Sequence, residues 1–437
     1  VTFDEAKRYL LARAKELNVD LEVLATETRE LTLAAFEGTL NESTQATQGG
    51  LGLRVVVNGK VGYASTEERS QEALEWALSE AKENAELLSG GSGFLPEGQA
   101  LGKRDLLSEG LSAPIEEKAA AALAFEADLR KDSRLKQVTL ARYTEREVQV
   151  ALASTRGADG GYRTGMAGLL GWFVVQEGEG LKEGMDYAVK REFHALEPGT
   201  TAQEALARAA RHLGATPLKT GKYTAYFEPR AFAQLLQVFL FMVSGKAVME
   251  GKSRLKDKLG RAVAAPTVTL RDDPTLADGL SSRPFDSEGT PARPVTLIEK
   301  GVLTSFLHNS ETAAALGQPN TGHASRSYKG TLGVEPTNVM LEPGSGIALE
   351  RGVVVTDLMG VHAGANPISG DVSLQAFGLL VEAGEVRGPV DNFALSGNLL
   401  ELLGRISALG ETIAWEYQGA YIGTPMVEIP EVSFAGS

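Results

Sequence analysis

The stretch LLQVFLFMVSGKAVMEG, residues 235–251, limits what this chain can become more than any other. It is the most apolar run in the 437 residues, yet its unbroken part, Val238 to Val243, falls far short of the roughly 20 residues needed to cross a bilayer. Too short for a membrane and too apolar for water, it predicts a buried helix, so the fold must supply a core around it. Composition allows one, because 43% hydrophobic and 23% charged residues is an ordinary globular mix in a chain long enough for two or three domains. The opening residues VTFDEAKRYLLARAKELN hold no apolar segment behind a basic start, and the expected location is cytoplasmic.

Local patterns divide the rest. Thr2 and Glu5 form a capping-box pair ahead of Phe3, Leu10, Ala14 and Leu17 at helical spacing, so a helix opens the chain. LEVLATETRELTLAAFEG alternates like a strand, and LGLRVVVNGKVGYAS reads as a hairpin turning at Asn58-Gly59, a dipeptide suited to positive φ. Ser65 and Glu68 predict the start of a second helix running to about Leu88, and SGGSGFLPEGQ at 89–99 reads as a linker. Further expectations are a helix near 114–131, strands near 135–153 and 168–177, and a helix ending near 213. Beyond GATPLKTG at 214–221 the pattern turns to short strands and Gly/Pro turns, with hairpins at Lys300-Gly301 and Ala383-Gly384 and helices near 229–243, 310–316 and 398–409. The fold class expected is α+β: an α/β amino-terminal half with hairpin sheets and helices, then a mostly β carboxy-terminal domain. The domains expected are 1–110, 111–217 and 218–437. No fixed-period repeat argues for a solenoid or propeller.

Several chemistries drop out. With no cysteine, disulfides, thiolate nucleophiles and Cys-ligated zinc are excluded. A net charge of -14 repels phosphate backbones, and the densest basic stretch, GKSRLKDKLGR at 251–261, is interrupted by Asp257 and lacks aromatics, so direct nucleic-acid binding is not expected. His194, His212, His308, His323 and His362 lie far apart in sequence, and none sits in a helical pair that would share zinc. No Walker A, GxGxxG or G-x-S-x-G motif occurs, and RGADGGYRTG at 156–165 reads as a flexible hairpin loop. SRLK at Ser253–Lys256 and KTG at Lys219–Gly221 match two β-lactamase patterns in the wrong chain order and without an intervening S-D-N.

Longer strings carry more. FDSEGTPARPVTLIEKGVL (285–303), PTNVMLEPG (336–344), NPISGDVSLQAFGLLVEAGEV (366–386), SGNLLELLGRISALG (396–410) and IGTPMVEI (422–429) together resemble the TldD/PmbA family, and with the start at 1–88 the resemblance covers nearly the whole chain. The family also carries the label modulator of DNA gyrase. The resemblance implies two subunit kinds. One, TldD, is a zinc peptidase with a HExxxH helix and a metal-ligating cysteine near its carboxy terminus; the other, PmbA or TldE, lacks them and pairs with the first.

Counting back from VTLRDDPTL, the metal helix of the first kind corresponds to about residues 235–248, the opening stretch. There is no histidine in it, and after Glu228 the next carboxylate is Glu250. Imidazoles, general base and cysteine are missing together, so no catalytic residue and no metal or cofactor is expected in this chain, and zinc is expected in a TldD-like partner. The resemblance further implies a dimer, with such a partner or with itself, enclosing a chamber where a peptide or unfolded protein lies extended beside a strand. Arg283, Asp286, Glu288, Asn366 and Asp371 are the candidates for lining that surface, with turn chemistry as their plainer reading. Two other functions stay open: a peptidase with a metal site built from scattered residues, and a non-proteolytic binder of gyrase or toxin–antitoxin proteins.

Overall fold

The Thr2 hydroxyl accepts the Glu5 amide at 3.3 Å while the Glu5 carboxylate accepts the Thr2 amide at 2.8 Å, and α1 (Phe3–Glu16) follows directly in the computed structural model, which describes residues 1–437. Strands β1 (Asp20–Phe36), β2 (Thr39–Val57) and β3 (Lys60–Thr66) come next, with Asn58 and Gly59 at φ of 50° and 75° in the tight turn. Helix α2 (Gln71–Glu86) starts later than Ser65 and Glu68 predict. Ser65 stays in the ladder opposite Gly52, and Ser70 caps the helix by accepting the Ala73 amide at 3.2 Å; strand pairing outcompeted the local cap.

β4 (Ala100–Asp105), α3 (Ile115–Leu129), β5 (Leu135–Ser154), β6 (Asp159–Glu177), β7 (Gly180–Lys190) and α4 (Pro198–Ala210) complete this half. The segment 156–165 is mostly strand rather than loop, because from Asp159 onward β6 pairs with β5 on one side and with β4 on the other. The sheet runs β3-β2-β1-β5-β6, and β6 carries β4 and then β7 on its far edge. Residues 1–110 and 111–217 therefore contribute strands to one sheet. Both helix pairs lie on the same face: Leu21, Val23 and Ala25 of β1 pack under α1 and α2, while Leu31, Leu33 and Ala35 pack under α3 and α4. That spacing is the two-residue alternation of a strand.

The carboxy-terminal half holds β8 (Thr216–Pro217), β9 (Gly221–Phe227), α5 (Pro229–Met242), α6 (Gly245–Met249), β10 (Leu270–Asp272), β11 (Val295–Glu299), β12 (Val302–Leu303) and α7 (Ser310–Leu316). It continues with β13 (Ala324–Ser325), β14 (Gly333–Val334), β15 (Asn338–Leu341), β16 (Gly352–Met359), α8 (Val361–Gly364), β17 (Asp371–Glu382) and β18 (Glu385–Asn398). Last come α9 (Leu399–Gly404), β19 (Ala408–Leu409), β20 (Ala414–Gln418), β21 (Ala420–Thr424) and β22 (Val427–Ala435). The helix expected over 398–409 stops at Gly404, because Ala408 and Leu409 pair with β22 instead. One sheet runs β12-β11-β10-β15-β21-β20. In the other, β22 bonds both β9 and β18, so β9, β16, β17, β18 and β22 close into a ring that leaves no free edge among them. The architecture is α+β, and no helix is long and apolar enough to cross a membrane.

Gly62 of β3 lies directly against α2, where a methyl group would overlap the Ala81 carbonyl and the Ala85 amide. Gly62→Ala is expected to cost about 1–3 kcal/mol, the usual penalty for overpacking, read as a lower urea midpoint. An unchanged midpoint would mean that α2 does not rest on β3.

Candidate functional site

The apolar stretch that opens the sequence argument forms two helices. Pro229 starts α5 where its missing N–H costs nothing. Ala231, Phe232, Ala233, Leu235, Leu236, Val238, Phe239, Leu240 and Met242 are all buried, inside the largest core of the molecule. The helix breaks at Val243–Ser244. There the chain turns into a bridge with Leu307: the Leu307 amide donates to the Val243 carbonyl at 2.9 Å, and the Gly245 amide donates to the Leu307 carbonyl at 2.7 Å. Gly245 admits no side chain, since a Cβ would overlap the His308 ring. Ser253 closes the end of α5 by donating its hydroxyl to the Met242 carbonyl at 2.6 Å, so the serine of the SRLK pattern is a buried capping group.

One stripe of α5 is polar, and it binds the helix to its surroundings. Arg230 reaches Asp186 of β7 at 3.1 Å and Glu416 of β20 at 3.7 Å. Gln234 donates to Asp357 at 3.0 Å and accepts the Leu358 amide at 2.9 Å, and Gln237 donates to the Gln418 carbonyl. Burial raises the pKa of Asp357 and of Glu416, and burial with the Glu416 charge pushes Tyr187 up to about 12. Arg230 stays protonated because Asp186 and Glu416 outweigh the burial that opposes its charge. The stripe thus carries binding groups for neighbouring protein and no metal donor.

The candidate residues divide into two groups that no hydrogen bond or ion pair connects. Asp286 and Glu288 are buried where the carboxy-terminal half meets the first sheet. Asp286 accepts the amides of Glu288 and Thr290 at 2.9 Å each and that of Ala324 at 3.0 Å, and burial with the Glu288 charge pushes its pKa up to about 6. Glu288 pairs with Arg54 of β2 at 2.6 Å and accepts the Ser310 amide at 2.8 Å. Beside it, Glu22 of β1 takes two bonds from Arg326, at 2.9 and 3.2 Å, and lies 3.6 Å from Arg54. Arg54 is 2% exposed, Glu22 1% and Glu288 2%. Arg283 is half-buried, with Nε and Nη2 lacking partners. Asn366 and Asp371 sit together in an exposed turn: Asn366 accepts the Ile368 amide at 2.9 Å, and Asp371 accepts from Ser369 at 2.7 Å and from Asn398 at 2.9 Å.

Arg54, Glu22 and Arg326 escaped sequence reasoning. The signal was present, since Arg54 interrupts LRVVV and Glu22 interrupts LEVLA, each a charge within a run too apolar to be a solvated face.

The histidines do not converge on a metal. His308 Nδ1 lies 3.1 Å from the Thr312 hydroxyl, His323 Nδ1 lies 3.0 Å from the Thr321 carbonyl, and His212 Nε2 lies 3.1 Å from the Thr356 hydroxyl. His323 Nε2 is 3.2 Å from Asp272 but out of line for a hydrogen bond. His194 and His362 are exposed. No group of three or more His, Asp or Glu side chains is arranged to hold a metal ion, so the residues present do not fit a zinc centre.

The apolar stretch is thus packed into the largest core of a mixed α+β fold. The chain belongs to the PmbA/TldD family: residues 21–85 match the PmbA/TldA metallopeptidase domain 1, 109–213 the central domain and 220–436 the carboxy-terminal domain. The metalloprotease PmbA of Escherichia coli O157:H7 is 26% identical over 99% of this chain and 97% of its own length. A crystal structure from Thermotoga maritima, of a protein labelled a modulator of a DNA gyrase, superposes with a TM-score of 0.88 at 30% identity, covering 99% of this chain and 100% of the other. TldE from Thermococcus kodakarensis shares the fold, with a TM-score of 0.85 at 22% identity over 99% of this chain and 100% of its own.

Two outcomes are expected from this geometry. Arg54→Met leaves buried carboxylates uncompensated and should cost about 3–5 kcal/mol in urea unfolding, while adding Glu288→Gln should recover part of the loss. A single substitution without effect would dissolve the interdomain role of the pair. The second outcome concerns pH. Burial pushes His212 and His308 down to about 4 from 6.5, so the unfolded chain takes up protons first and stability falls as pH drops through that window. Asp286, raised to about 6 from 3.8, acts in the opposite sense, its contribution being lost as pH rises through the same range. Asp357 and Glu416, also raised by burial, act with Asp286, so the test is placed on one imidazole: His308→Gln should raise the urea midpoint at pH 5 relative to that at pH 7, compared with the unsubstituted chain.

Proposed function

We propose that this chain is a non-catalytic, TldE-like subunit of a cytosolic zinc metallopeptidase complex that degrades or processes peptides and unfolded proteins. In this reading a TldD-like partner carries the zinc, and this chain contributes structure around the chamber. The observation that carries it is the content of α5 and α6. The segment corresponding to the metal helix presents buried apolar side chains, glutamines and a tight glycine contact against His308, and holds neither imidazole nor carboxylate. A hydrolytic zinc site needs three protein ligands and a base near the bound water, and the loss extends to all of them. The gyrase label of the Thermotoga relative gains no electrostatic support here, because a net charge of -14 opposes contact with DNA.

Elemental analysis of the purified chain after chelator removal is expected to give less than about a tenth of an equivalent of zinc, whereas a real structural or catalytic site would bind near-stoichiometrically. Mixing with a HExxxH-bearing family member should yield peptidase activity on an unfolded substrate that neither subunit shows alone. About one equivalent of zinc, or peptidase activity from this chain alone, would overturn the reading.

A further inference from the structure

A cavity of about 240 Å³ lies between the two halves, lined by Arg54, Tyr63 and Phe94 from the first and by Lys246, Met249 and Glu311 from the second. Three of its donors lack acceptors. Arg54, 2% exposed, commits Nη1 to Glu288 and Nη2 to the Phe94 carbonyl, which leaves a buried Nε–H without a partner. The Tyr63 hydroxyl accepts the Leu332 amide at 3.4 Å, and because burial raises its pKa it keeps a proton that no group of the chain accepts. Lys246, half-buried on α6, donates one of its three protons to the Leu332 carbonyl at 3.1 Å and meets no carboxylate at ion-pair distance. Of the two carboxylates in the lining, Glu250 is taken by Lys252 at 2.8 Å, while Glu311 is exposed and unpaired.

We propose that this cavity binds a small zwitterion, an amino acid or dipeptide with an apolar side chain, its carboxylate held by Lys246, Tyr63 and the Arg54 Nε–H and its ammonium by Glu311. Charge counting selects this class. Glu22 and Glu288 already balance Arg54 and Arg326, so the one unmatched cation in the lining is Lys246, which suits a carboxylate better than a phosphate dianion. Glu311 supplies one unmatched negative charge and opposes an anion that brings no ammonium with it. Phe94 and Met249 offer apolar contact to a side chain, and the volume falls below the roughly 300–1,000 Å³ of sites for drug-sized ligands. Since both halves line the cavity, a bound ligand holds them together and stabilises the folded chain. Amino acids and dipeptides are what peptide breakdown releases; that link rests on the subunit reading above, whereas the binding is measured on this chain alone, so its failure leaves that reading standing.

Calorimetric titration of the purified chain with leucine and with leucyl-leucine should give a one-to-one complex with a Kd of about 1 mM or tighter for at least one of them, and the tighter of the two identifies the source. N-acetyl-leucine, which lacks the ammonium, and leucinamide, which lacks the carboxylate, should each bind about tenfold or more weakly than leucine. Lys246→Met and Glu311→Gln should each weaken binding by about tenfold or more, with an unchanged circular dichroism spectrum; Glu311 is exposed, so its variant keeps the test valid if Lys246→Met misfolds. Saturating ligand should also raise the urea midpoint of the unsubstituted chain, and should do so less in Glu311→Gln. Neither heat nor a midpoint shift with either ligand at about 10 mM overturns the proposal. So does equal affinity for leucine and its two blocked forms, inorganic phosphate binding more tightly than leucine, or a Glu311→Gln variant that binds as the unsubstituted chain does.

Discussion

Four buried charges hold the two halves of this molecule in register. Glu22 and Arg54 project from the first sheet, Glu288 and Arg326 from the carboxy-terminal half, and each carboxylate meets a guanidinium across the boundary. The set is neutral, and each guanidinium also reaches backbone: Arg54 donates to the Phe94 carbonyl at 3.0 Å and Arg326 to the Gly52 carbonyl at 3.3 Å. Apolar contact alone is non-directional and would let one half slide over the other. Charge pairs out of water tolerate few arrangements, because any other leaves a desolvated ion without a partner. Around them, Leu24 and Leu152 of the sheet close on Phe285. The small apolar contact supplies area and the ions supply position.

A second junction repeats the principle with different chemistry. Asp186 and Tyr187 of β7 meet Arg230 at the start of α5, and Arg211 forks onto Glu228 at 2.7 and 2.6 Å just before the same helix. The central helix is therefore gripped at its entrance by charges from the other half and along its length by the core. Of its apolar side chains only Phe241 is exposed. The proposed role as a structural subunit rests on the residue content of that helix, which carries neither imidazole nor carboxylate.

The ring of β9, β16, β17, β18 and β22 and the open edge of β2 show opposite treatments of the same liability. Closure pairs every strand within the ring, while in the first sheet β3 is too short to cover β2.

Much of this was legible from the residues alone, for a physical reason in each case. Asn58-Gly59 determines a turn because both residues accept positive φ, Thr2 and Glu5 determine a helix start because their bonds are local, and Leu235–Val243 determines a buried helix because no surface tolerates it. The long strings from 285 to 429 carried the family, which the three domain matches then showed. What the sequence left undecided involves partners distant in the chain. Ser65 went to a strand because Gly52 lay opposite it, and the helix after Asn398 stopped at Gly404 because β22 claimed Ala408 and Leu409. Asp286 and Glu288 were visible as polar turn residues. That one caps three amides and the other meets Arg54, 234 residues away, is settled only when the sheet and the carboxy-terminal half close on each other, since a buried charge takes its meaning from what faces it.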